Sequence, residues 1–196
     1  MTVTELASPN FKPESAEDAF AAIPAARAAL ENVDVIEYIG TTHILQHNGA
    51  DVSHELRSIA TIVWDKVESF HDFFPNSEAF KAFITPLIPY IASPAAPKLF
   101  DPAPGYASSE HIWKELVSHI YLGQFGEKKT QVLEAWKKAL GEIGSGEGKD
   151  WFGYGIEADE GTWVGVLAGE SVEGGLSAER VQELGVVERW IVKRMT

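Results

Sequence analysis

In this 196-residue chain, His71 is a side chain of a type that can transfer protons. It stands between Phe70 and the Phe73-Phe74 pair, a short distance after Trp64. An imidazole near neutrality can take a proton from a phenol or an activated carbon acid, as cyclisation and cofactor-free oxidation both require. Trp64 could floor a flat aromatic ligand by stacking, with Phe73 and Phe74 as an apolar wall. On the residues alone a half-exposed His at a helix start is the preferred reading of His71, and a core Trp sealing helix to sheet is at least as good a reading of Trp64. A second pair, His119 and Tyr121, flanks Ile120, which puts both side chains on one face of a strand beside Val117. Such a pair could position and ionise a phenol, although a hydrogen-bonded core pair is the commoner arrangement. Tyr38 and His43 alternate to opposite faces and cannot line one pocket.

Other chemistries are excluded or weakened by what the chain lacks. It has no Cys, which removes disulfides, thiolate nucleophiles and Cys-ligated zinc, and fits a reducing cytosol. His43 and His47 have zinc-pair spacing only if helical, and their surroundings are β-like with a turn at Asn48-Gly49, so no metal is expected. Gly153-x-Gly155 sits inside a strand, and Gly144-x-Gly146-x-Gly148 follows a helix where a phosphate loop would precede one. With 29 acidic residues against 16 Lys and Arg, the formal charge of −13 opposes nucleic acid and anionic membranes. No run approaches the roughly 18 apolar residues of a membrane span. The first residues lack the basic and apolar regions of a signal peptide. A cytoplasmic protein with a small-molecule partner is the expectation.

The elements that must position these side chains occur in an order that repeats. Val3 to Phe11 reads as a strand. Ala16 to Glu31 reads as a helix, with Ser15 and Asp18 as a capping box and Pro24 as a kink. Val35 to Leu45 and Leu56 to Asp65 read as a hairpin, and the spacing of Phe70, Phe73, Phe80, Ile84, Leu87 and Ile91 as one amphipathic helix disturbed at its end by Pro86 and Pro89. A proline-rich linker, Ser93 to Tyr106, has room for a strand at Lys98 to Asp101. The second half then offers a strand (Trp113 to Phe125), a helix stopped at Gly144 (Glu127 to Ile143), a hairpin (Trp151 to Glu157 and Thr162 to Glu170), a short helix (Ser177 to Leu184) and a last strand (Val186 to Met195). Each half is βαββαβ, the ferredoxin-like order, giving an α+β protein with repeats at residues 1–105 and 106–196. A four-stranded sheet with both helices on one face leaves the other face bare. Two such units cover each other sheet to sheet, so a monomer or weak homodimer is expected.

The stretch Ala60-Thr61-Ile62-Val63-Trp64-Asp65-Lys66-Val67-Glu68-Ser69-Phe70-His71-Asp72-Phe73-Phe74 resembles the dimeric α+β barrel superfamily, most of all fungal proteins of its antibiotic-biosynthesis-monooxygenase-like branch. The element order extends that resemblance over the whole chain as two fused copies, while the second half lacks the motif after Gly169-Glu170-Ser171. The resemblance implies a tandem ferredoxin-like, pseudo-dimeric α+β barrel with a pocket between helices and sheet in the first half. It maps a frequently functional His onto His71. Superfamily members include cofactor-free monooxygenases, polyketide cyclases, lactone isomerases and haem proteins. The leading expectation is therefore a cofactor-free cyclase or monooxygenase of aromatic secondary metabolism. His71 would be its acid/base, and Trp64, Phe73, Phe74, His119 and Tyr121 its binding residues. A non-catalytic binding or stress-response protein is the alternative, and a haem-binding member the third reading.

Overall fold

The computed structural model describes residues 1–146 and 148–195. In chain order its elements are β1 (Val3–Ala7), β2 (Asn10–Phe11), α1 (Ala16–Ala28), β3 (Ile36–His47), β4 (Ala50–Asp51), β5 (Ser58–Trp64), α2 (Val67–Phe73), α3 (Glu78–Ile84), β6 (Ile91–Ser93), β7 (Lys98–Pro102), α4 (Glu110–Trp113), β8 (Val117–Gln124), α5 (Lys129–Ile143), β9 (Asp150–Gly155), β10 (Thr162–Gly169), α6 (Ala178–Glu183) and β11 (Val186–Arg194). The first four long strands pair in the order β7-β1-β5-β3 and the last four in the order β11-β8-β10-β9. Both are the ferredoxin-like order, so the chain carries the fold twice.

The two sheets also join along their edges. β3 pairs antiparallel with β11, from Thr42 opposite Arg194 to His47 opposite Trp190, and β7 pairs with β9, from Phe100 opposite Gly155 to Pro102 opposite Gly153. Eight strands thereby close into one antiparallel barrel, where face-to-face packing alone would have left two pairs of open edges. Closure satisfies backbone groups that would otherwise invite another chain.

Alternation along each strand sorts side chains between the barrel interior and the helical layers. Leu6, Ile59, Val63, Ile120, Leu122, Val164, Val166 and Val192 fill the interior with Phe100 and Trp151. The chain just before β8 is not strand as expected. It forms the short helix α4, whose Ile112 and Trp113 plug the core. The Trp113 indole N–H donates to Ser109 Oγ at 3.0 Å, and that hydroxyl also meets Thr4 Oγ1 at 2.6 Å.

Three further local expectations change. The helix expected over Phe70 to Ile91 is two helices, because Pro75 supplies no amide and Ser77 starts α3 afresh by accepting from the Phe80 amide at 3.0 Å. Ser15 precedes α1 without a side-chain cap, its hydroxyl donating back to the Lys12 carbonyl. Pro24 lies inside α1, which continues through it. The stripe predicted for α5 buries Leu133, Trp136 and Leu140, and Gly144 ends the helix in the left-handed conformation.

Candidate functional site

The outward face of the first half carries a grid set by strand register. Glu5 on β1 stands opposite Ile62 on β5, which stands opposite Ile39 on β3. In the next row Ala7, Ala60 and Thr41 are neighbours. That row is short-chained, so the helices above cannot close onto it. Ile23, Ala26 and Arg27 of α1 cover one side, and Phe73, Phe74, Phe80, Phe83 and Ile84 of the α2–α3 segment cover the other. A cavity of about 470 Å³ remains between them, within the range of small-molecule sites.

Its walls are almost wholly apolar, with two charged side chains among the lining residues, Glu5 and Arg27. Glu5 is 7% exposed. Its Oε2 accepts a hydrogen bond from Trp64 Nε1 at 2.8 Å. Burial pushes the carboxyl up to about 7, against the opposing pull of the Trp64 donor. A carboxyl so placed changes protonation near neutrality and can both remove and return a proton. Thr41 and Ser58, both buried, add hydroxyls to the floor.

The structure gathers some of the expected residues here and separates others. Phe73 and Phe74 line the cavity. Trp64 is fully buried behind the cavity, its ring 6.1 Å from Phe70 and 5.1 Å from Phe73 between centroids, and it reaches the site through Glu5 in place of stacking on a ligand. His71 is not among the lining residues. Its side chain is 51% exposed and its Nε2 lies 2.7 Å from Glu157 Oε1 of the second half. The reason is helical rotation: Phe70, Phe73 and Phe74 define the inward stripe of α2, and the residue after Phe70 is turned by about 100° away from it. His71 therefore stands outside this cavity. Glu5 was not anticipated.

His119 and Tyr121 do share a strand face, in the second half and apart from this cavity. His119 Nε2 donates to the Ser171 carbonyl at 3.3 Å, and Tyr121 Oη accepts from the Leu176 amide at 2.8 Å. Burial holds the imidazole below its usual range and the phenol above its own. Gly175 lies directly over both rings, where a Cβ would come within 2.7 Å of His119 Nδ1. Of the other histidines, His43 Nε2 meets the Ser53 carbonyl at 2.9 Å with its ring edge-on to Phe20, and His47 Nε2 meets Glu188 at 3.1 Å. Among the described residues no cluster of three His, Asp or Glu could hold a metal.

In the second half aromatic rings pack over the corresponding sheet face. Trp136 of α5 presses onto the backbone of Gly165, Phe152 stacks on Trp163 at 5.3 Å, and Tyr121 meets Trp136 edge-on. A Cβ on Gly165 would lie 2.6 Å from the Trp136 ring. Gly165→Val is accordingly expected to destabilise the protein by about 1–3 kcal/mol, the usual cost of overpacking, measured by urea denaturation. In the first half the same kind of enlargement meets open space at Ala60. Ala60→Phe is expected to fill the cavity and weaken ligand binding at least tenfold with the midpoint of unfolding unchanged or raised, measured by fluorescence titration and thermal melting.

The lining contains no His, Met or Tyr, and the chain has no Cys, so this donor set does not fit a haem iron. Among the described residues no helix is long and apolar enough to cross a membrane.

No protein-family model matches the sequence, and no curated protein matches it. Solved structures do. A candidate monooxygenase from Lactobacillus acidophilus NCFM aligns over 99% of this chain and 93% of its own, with a TM-score of 0.61 and 10% identity. An anthrone oxidase-like protein aligns over 100% and 92% with a TM-score of 0.62 and 8% identity. A candidate chlorite dismutase, TA0507, aligns over 100% and 95% with a TM-score of 0.63 and 10% identity. The fold is thus of the tandem ferredoxin-like type expected from the order of elements, and of the dimeric α+β barrel type that the resemblance implied. At such identities the likeness carries fold and not reaction.

Proposed function

We propose that this chain is a cofactor-free enzyme acting on an aromatic small molecule of the polyketide type, as a monooxygenase or cyclase, with Glu5 as the group that moves the proton. The observation that carries this reading is the placement of Glu5 in the wall of an apolar cavity, with a carboxyl pushed up to about 7 and held by the Trp64 indole. Burial that raises a carboxyl in this way is costly to the fold, and active sites are where such costs recur. As carboxylate, Glu5 would take a proton from a carbon flanked by aromatic rings or a carbonyl. The surrounding Phe residues would hold the resulting planar anion in one orientation. In a cyclase the anion attacks a carbonyl of the same molecule, and in an oxygenase it gives its electrons to dioxygen.

Anthrone is a suitable first probe, since one structural neighbour is named for anthrone oxidation. Its oxidation balances as anthrone plus O2 giving anthraquinone plus water, with the first proton leaving from the ring methylene. Protein incubated with anthrone in air is expected to accelerate anthraquinone formation, read by absorbance alongside oxygen uptake. The preponderance of apolar wall supports one other reading, a binding protein without chemistry. Tight binding with no turnover of any activated aromatic ketone or phenol would establish that reading in place of the first.

A further inference from the structure

Arg27 is the cavity's second charged side chain, and proton transfer makes no use of it. It sits in the last turn of α1, on the stripe that also carries Ile23 and Leu30. A cation at a helix C-terminus is favourable, which accounts for its charge but not for its surroundings. Its Nε is buried without a hydrogen-bond partner, and Arg27 forms no ion pair among the described residues. Glu5, the only carboxyl in the lining, is hydrogen-bonded to Trp64. The acidic residues on α1 itself, Glu17 and Asp18, lie in its first turn, at the opposite end from Arg27.

A guanidinium donor left unpaired in an apolar wall is a cost that an incoming acceptor removes. Planar, forked N–H groups match the two oxygens of a carboxylate and also hold a single phenolate or enolate oxygen. We propose that Arg27 is the specificity-determining residue of this cavity, binding an anionic oxygen on an aromatic ligand and so restricting the site to aromatic acids, phenolates and enolates. This rests on the reading of the cavity as a substrate site. It also divides the work within it. Arg27 holds an oxygen of the ligand from α1, while Glu5 faces the ligand from β1. The chain's net charge of −13 opposes an approaching anion. That opposition is screened beyond about 8 Å at physiological salt, whereas a contact inside the cavity is screened far less.

The test compares 9-anthracenecarboxylate with neutral 9-anthracenemethanol, two probes of the same ring system, by fluorescence titration of the purified protein. The wild type is expected to bind the carboxylate at least tenfold more tightly. Arg27→Gln should abolish that preference while keeping affinity for the alcohol within about twofold, which also reports that the variant is folded. Arg27→Lys, which keeps the charge but not the fork, should retain part of the preference. Equal binding of the two probes by wild type overturns the proposal and leaves the cavity reading intact. Unchanged preference in both variants overturns it too. Failure of both probes to bind overturns the proposal together with the cavity reading.

Discussion

Glu5→Gln protein is expected to bind its aromatic ligand nearly as well as wild type and to turn it over roughly 10² to 10⁴ times more slowly, the usual contribution of a general acid or base. Gln keeps the size of the side chain and an oxygen that can still accept from Trp64 Nε1, so the wall of the cavity is preserved. What is lost is titration alone. In the wild type, kcat/KM should rise with pH through about 7, because the carboxylate is the form that removes a proton and burial has brought its pKa there. The variant should show no such limb. The other charged side chain in the lining is Arg27, and the α2–α3 wall presents Phe rings to the site. His71→Ala is the paired control. Its imidazole is half-exposed against Glu157 on the outer surface, so activity should be unchanged. A large loss in His71→Ala with none in Glu5→Gln would reverse the assignment.

The contrast between these two residues shows what a single sequence reveals about such a site. Barrel architecture was legible because it is written in periodic patterns: the Leu133, Trp136, Leu140 stripe, two alternating hairpins, and a βαββαβ order that occurs twice. Closure of the barrel was only partly legible, since edge pairing between β3 and β11 or β7 and β9 joins segments more than fifty residues apart with no local signal. Glu5 was missed for a related reason. A lone Glu in a short strand ordinarily faces water. Here β1 lies between β5 and β7, and α1 and α2 cover that face. The available clue was alternation, which puts Val3, Glu5 and Ala7 on the side opposite Leu6. His71 was placed correctly near aromatic residues along the chain and incorrectly around the helix, which the spacing of Phe70, Phe73 and Phe74 could have corrected.

The same buried carboxyl should leave a mark on folding that needs no knowledge of the substrate. Unfolded, Glu5 titrates near the ordinary value of 4.5, and folded it does so at about 7. The folded state therefore binds the proton more tightly. Its advantage is complete below about 4.5, declines as pH rises between the two values, and is gone above about 7. The difference corresponds to about 3 kcal/mol of stability lost across that window. Glu5→Gln removes the titration, so the stability of wild type minus that of the variant should fall with pH by about this amount and then level off. Other carboxylates, including Asp51 and Asp101, shift in both proteins and cancel in the subtraction. An unpaired amide N–H in the variant would lower its stability by the same amount at every pH and so leave the shape of the difference untouched. Urea denaturation at half-unit steps from pH 4.5 to 8.5 measures it directly. A flat difference would mean that Glu5 is already ionised in the folded protein, and both the destabilisation and the proton-transfer role would fall together. A slope confined to the window, in a protein whose cavity still binds the anthracene probes, would tie the cost in stability to the group that the chemistry requires.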